Sequence, residues 1–189
     1  MKDAEVISLV GLAHGTSHFF HLLLPSLFPW LMRDFGLGFT QAGALSTAFY
    51  VTSGTGQAAA GFLVDRLGAR RVLACGVALF GVAAVVLGLA RGYSELLLAA
   101  VLAGAANSVF HPADFTLLNR RVSAPRLGHA FSAHALSGNV GWAAAPLFLT
   151  AIAAGRGWRA AAFCAAAVAL LPLALLALRG DAIADRPER

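Results

Sequence analysis

Three histidines stand at i, i+4 and i+7 in the first apolar stretch of this chain: His14, His18 and His21. That spacing puts all three rings on one face of one helix. Imidazole hydrogen-bonds and can change charge near neutral pH, so such a row can relay protons, contact a solute or ligate a metal. His111 and His134 fall in later apolar stretches. Counted along a helix from Val6, His14, His18 and His21 sit roughly 12, 18 and 22 Å above the inner edge of a bilayer. His111 and His134 lie in its inner third. Ionisable groups at such depth normally face a bundle interior or a wet cavity. Three uses compete: rings that tie helices together, rings on a substrate or proton pathway with His18 and His111 foremost, and haem or metal ligation. No metal-type spacing compels the last, so no metal or cofactor is assigned. Asp114 is three residues past His111 and could pair with it. Its nearness to Arg120 and Arg121 instead suggests a solvated acid at the membrane surface.

A second constellation runs from Gly61 to Arg71, where Asp65, Arg66, Arg70 and Arg71 crowd a short loop between apolar runs. Charges so placed suit a cytoplasmic turn between two spanning helices. Gly68 would supply the sharp bend. Asp65 beside three arginines could exchange ionic partners as helices move, which is the chemistry of a gate. The bland alternative is that the arginines only set orientation.

These groups must be positioned by membrane helices. Of 189 residues, 59% are hydrophobic and 12% charged, with mean hydropathy +0.75; a soluble domain carries about 25% charged residues. The apolar residues come in blocks long enough to cross a ~30 Å hydrocarbon core. Six all-α spans are expected: 6–32, 41–64, 72–90, 96–118, 130–153 and 158–178, as one domain over residues 1–180 with a polar tail at 181–189. Ten Lys and Arg fall in the N-terminus, the second and fourth loops and the tail, against four in the other loops. Both termini are therefore expected in the cytoplasm of a multi-pass cell (inner) membrane protein. The first span is too long for a signal-peptide core and should remain as an anchor. Cys75 and Cys164 lie at different depths and are expected to be buried, inert and unbridged. The net charge of +5 sits in loops without interleaved aromatics, which argues against a nucleic-acid partner. No nucleophile–base pair or phosphate loop is present, so no catalytic residue is expected and the chain is not read as an enzyme. Small residues such as Gly54, Gly56, Gly76, Ser137, Gly138 and Gly141 should let helices approach closely.

The run from Gly61 to Arg71 reads G-x-L-x-D-R-x-G-x-R-R, and it resembles the signature loop between the second and third helices of the major facilitator superfamily. Ser108-Val109-Phe110-His111-Pro112, Arg126-Leu127-Gly128-His129-Ala130 and Gly138-Asn139-Val140-Gly141 are similar to the fosmidomycin-resistance type of facilitator, as are His18-Phe19, Pro25 and Pro29. Gly157-Trp158-Arg159 resembles the facilitators' entry to the sixth helix. Leu22 and Ala113 stand where relatives place acids. The resemblance implies secondary transport of a small solute, efflux included, by two parallel six-helix halves rocking around a midplane site. This chain would supply one half, completed by a second six-helix half or a second copy. The pathway would use His14, His18, His21, His111, His134 and Asn139, and the gate Gly61, Asp65, Arg66, Gly68, Arg70 and Arg71. The alternatives are a non-transporting membrane partner or regulatory subunit, and a membrane haem protein.

Overall fold

Proline decides where the helices break. In the computed structural model, which describes residues 2–183 (the side chains of Lys2 and Asp181 excepted), the first span is α1 (Lys2–His21) followed by α2 (Leu23–Phe35). Pro25 has no N–H for the carbonyl four residues back, that of His21, and the helix interrupts there. The fourth span divides alike into α5 (Tyr93–Asn107) and α6 (Phe110–Arg121), with Pro112 four residues past Ser108. Two spans expected as continuous are thus each broken in mid-course. The other spans are α3 (Phe39–Leu67), α4 (Ala69–Leu89), α7 (Leu127–Arg156) and α8 (Trp158–Leu178).

The order is therefore a repeat: a broken span, a long helix, then a helix of 21 residues, twice over. The joints repeat as well. Gly68 between α3 and α4 has φ +88°, and Gly157 between α7 and α8 has φ +84°. Side chains rarely adopt that conformation, so glycine makes both bends possible. Packing follows the same pattern, with α1 along α7, α3 along α5, and α4 against α8. Phe20, Phe80 and Phe110 stack through the middle of the core.

The chain is a multi-pass membrane protein. Five segments are long and apolar enough to cross a bilayer, and α3, at 29 residues, is long enough but less apolar. Contacts of charged side chains mark the two ends of the bundle. At one end Arg179 meets Glu5 (3.6 Å), and Asp3 accepts from Ser123 (2.6 Å) beside Arg126. At the other, Trp158 Nε1–H donates to Asp34 (2.8 Å) and Arg159 donates to the Gly88 and Ala90 carbonyls that end α4. A cation there satisfies orphan carbonyls and complements the helix dipole. The first and last described helices start and finish at the same end, as an even number of crossings requires. Residues 184–189, with Arg186 and Arg189, lie outside the described residues. Residues 180–183, at the start of the expected tail, form a 3-10 turn with Ile183 buried. Both cysteines are free as expected, but Cys75 is exposed on the outer surface of α4 rather than buried.

Cytoplasmic placement of the Arg-rich end is tested by single cysteines in a background lacking Cys75 and Cys164. Reporters at Tyr93 and Arg156 should react with an impermeant maleimide from outside. One at Leu67 should react only after permeabilisation. External reaction at Leu67 would reverse the orientation.

Candidate functional site

The two broken spans meet at their breaks. His21, the last residue of α1, donates from Nε2–H to Asn107 Oδ1 of α5 (2.6 Å). Asn107 donates from Nδ2 to Ser53 Oγ of α3 (2.7 Å), and Trp142 Nε1–H of α7 donates to His21 Nδ1 (3.2 Å). One hydrogen-bond chain thus crosses four helices and gives His21 a single tautomer, proton on Nε2. Asn107 and Ser53 are buried, and a buried polar group needs such partners.

One and two turns below His21 the rings become denser. His14 Nδ1 and His134 Nε2 both reach Asp114 Oδ2, each at 3.1 Å, and their rings stack at 3.5 Å between centroids. His18 fills the space between the layers, 4.3 Å from His14, 4.7 Å from His21 and 4.4 Å from Trp142. His111 is 5.4 Å from His14, and its Nδ1 faces Gln57 Oε1 of α3 at 3.3 Å. All five histidines expected on a pathway are therefore in one cluster.

Asp114 corrects the sequence expectation. It is not a solvated interfacial acid but wholly buried, and its partners are His14 and His134 rather than His111. Among the described residues its Oδ1 has no hydrogen-bond partner, and neither ring nitrogen of His18 has one. Asn139 is exposed on α7, outside the ring cluster. It shares an i, i+3 face with Trp142, which does join the cluster. Asn107, Ser53, Gln57 and Trp142 were not singled out from sequence. A lone Asn in the run Ala105-Ala106-Asn107 was the available signal.

Glycine makes the cluster possible. A Cβ on Gly138 would lie 2.7 Å from His18 Nδ1, and one on Gly15 would lie 2.9 Å from the Ser137 carbonyl oxygen. Helices α1 and α7 therefore cross nearly backbone to backbone, with Gly11 and Gly15 forming a G-x-x-x-G face.

The loop residues are placed differently. Gly68 makes the bend, while Asp65, Arg66 and Arg71 are exposed. Arg70 lies over Gly180 and donates to the Leu176 carbonyl (3.5 Å), at the end of α8. Among the described residues Asp65 makes no ion pair. Gly61 is half-exposed on α3.

Two three-span repeats packed around a buried polar centre define a membrane-embedded helical bundle. The chain belongs to the Major Facilitator Superfamily, whose pattern matches residues 8–188. It is 31% identical over 171 residues to the fosmidomycin resistance protein of Escherichia coli, covering 89% of this chain and 42% of that one. It is 25% identical over 188 residues to the membrane sensor protein UhpC of the same bacterium, covering 97% of this chain and 41% of that one. The crystal structure of tetrameric PepTSo2 superposes with a TM-score of 0.83 at 19% identity, over 100% of this chain and 45% of that one; the likeness is one of fold. The chain thus spans about two fifths of the length of these two curated relatives.

Proposed function

We propose that this six-span bundle is one half of a secondary carrier for a small solute, working against a second six-helix half or a second copy of itself. The observation that carries the reading is the composition of its exposed stripes. On α3, Gly43, Thr47, Tyr50, Gly54 and Gln57 are exposed at helical spacing, and on α7 Gly128, Ser132, Ala135, Asn139 and Trp142 are. Helix α8 instead exposes Phe163, Leu170, Leu171 and Leu178. Small and polar stripes on spanning helices suit a wet cleft or a close helix partner, whereas exposed Leu and Phe suit lipid. The ring cluster borders the same side through Gln57, His111, His21 and Trp142. In this reading those residues, with Asn139, His14, His18 and His134, line the solute and ion pathway. Gly61, Asp65, Arg66, Gly68, Arg70 and Arg71 form the cytoplasmic gate.

The experiment is transport in an efflux-deficient bacterium expressing the chain alone and with its downstream six-helix segment where one exists. Fosmidomycin belongs among the first solutes because of the relative's name. Trp142→Ala and Asp65→Asn should each lower flux several-fold at unchanged membrane abundance. Full flux in both variants would leave neither the cluster nor the loop a role in transport. The relation to a membrane sensor favours a second reading, a solute-binding regulator; solute-dependent thermal stabilisation without flux would select it.

A further inference from the structure

We propose that His14, His18 and His111 form a three-nitrogen site for a divalent transition-metal cation, with Asp114 and Gln57 as the oxygens that orient two of the rings. One nitrogen from each of the three histidines lies within 4.8 Å of the other two. A tetrahedral ion with metal–nitrogen bonds of about 2.1 Å holds its ligands about 3.4 Å apart, so ring rotations of an ångström or so close the site.

Three independent observations point to a ligand there. The first is the pattern of used and unused nitrogens. His14 spends Nδ1 on Asp114 and His111 directs Nδ1 at Gln57 Oε1, so each keeps Nε2 as the nitrogen left over. Metal-binding histidines are regularly held in this way, one nitrogen on a carboxylate or carbonyl and the other on the metal. The second is His18, whose two nitrogens are buried and have no partner among the described residues. Burying polar atoms without partners costs free energy that a metal bond would recover. Its Nδ1 and His14 Nε2 flank the same glycine, Gly138, where a Cβ would lie 2.7 and 3.1 Å from them. The third is charge. The nearest anion is Asp114, which is wholly buried with Oδ1 unpartnered. A carboxyl group one ring away from the site, once ionised, offsets part of the cost of holding a dication at this depth.

The donor set selects the ion class. Three imidazoles with no carboxylate at the metal suit zinc, copper, nickel, cobalt or ferrous iron and disfavour magnesium and calcium. Three protein ligands leave a fourth position for water or a solute donor, and half-exposed His111 lies on the open side. The other compact set, His14, Asp114 and His134, is less suited. Both of its ring nitrogens already share one carboxylate oxygen.

The test uses the full chain, purified without a polyhistidine tag, stripped with chelator and placed in lipid nanodiscs. Titration with Co²⁺ should give saturable visible d–d bands of tetrahedral nitrogen ligation at one ion per chain, and Zn²⁺ should erase them. His18→Gln and His111→Gln should each weaken binding about ten-fold or more, and Asp114→Asn, which keeps an acceptor but loses the charge, about 10- to 100-fold. His129→Gln, a histidine outside the cluster, should bind as the parent does. His111→Gln serves as the fold-preserving variant, because the half-exposed position tolerates an amide and size-exclusion profiles report assembly. No saturable band in the parent, or parent-like binding in His18→Gln and His111→Gln, overturns the site. Flux plays no part in the measurement, so its outcome is separate from that of the transport reading.

Discussion

Asp114→Ala is expected to unfold this bundle more readily than a substitution at any exposed carboxylate. The side chain is fully buried and accepts from two imidazoles at one oxygen. Removing it strands the N–H of His14 and that of His134 in the interior of three packed helices. Each orphaned donor costs about 1–3 kcal/mol, so the loss should reach about 2–6 kcal/mol. Asp114→Asn separates shape from charge. Its carbonyl oxygen can take the place of Oδ2, and its amide falls where Oδ1 already lacks a partner. That variant should lose less than the Ala variant, about 1–3 kcal/mol, because both imidazole donors keep an acceptor while the new amide N–H groups lack one. Thermal melts followed by size-exclusion in detergent measure both. Equal melting of the Ala variant and the parent would mean that the buried hydrogen bonds carry no stability.

The row of histidines was legible because helical period alone brings His14, His18 and His21 together. Their partners were not. Depth counted along straight helices placed Asp114 by its neighbours Arg120 and Arg121, yet six residues of helix separate the acid from Arg120 by about 9 Å. That distance suffices to carry the side chain from the interface into the core. Which helix crosses α1 at His14 is decided by where glycines allow contact, and that is a property of two surfaces at once. The helix breaks stand between these cases. Pro25 and Pro112 were visible, and the carbonyls they orphan, at His21 and Ser108, follow from backbone chemistry. What needed the fold was that His21 and Asn107 complete each other's bonding across the two breaks. The six-span outline and the bend at Gly68 were readable from block length and residue type. The opposite exposure of Cys75 was not, since an apolar helix turns one side to neighbours and another to lipid without a marked change of composition.

Breaking a protein helix at two places beside a polar cluster has a mechanical consequence. The halves α1 and α2, like α5 and α6, are joined by one or two residues, and the bond from His21 to Asn107 ties the end of α1 to the end of α5 across the two breaks. Ligand contacts on His21 or Trp142 can thus reach four helices through three hydrogen bonds, without rearranging the phenylalanine core beside them.

Replacing Gly141 should be the other severe change, because the space it leaves is filled by backbone. A Cβ there would run into the Gly15 carbonyl oxygen of α1 and would lie 3.1 Å from His18 Cβ. A flexible side chain could move aside, but the peptide group of a neighbouring helix cannot, so α1 and α7 must separate. Overpacking of this kind costs about 1–3 kcal/mol for a small group and more for a larger one. Gly141→Ala should therefore lower the melting temperature clearly, and Gly141→Leu should leave little folded protein. Separation also draws His18 away from Trp142 and loosens the bond between Trp142 and His21, so the quenching of Trp142 fluorescence by the rings should change even in the milder variant. Gly43→Ala is the matched control. Nothing lies within 4 Å of a Cβ at that helical position, and alanine there should raise stability by about 0.5–1 kcal/mol through helix propensity alone. Opposite signs for the two glycines are the expected result. If Gly141→Ala melted at or above the parent, the close crossing of α1 and α7 could not be what holds the ring cluster together.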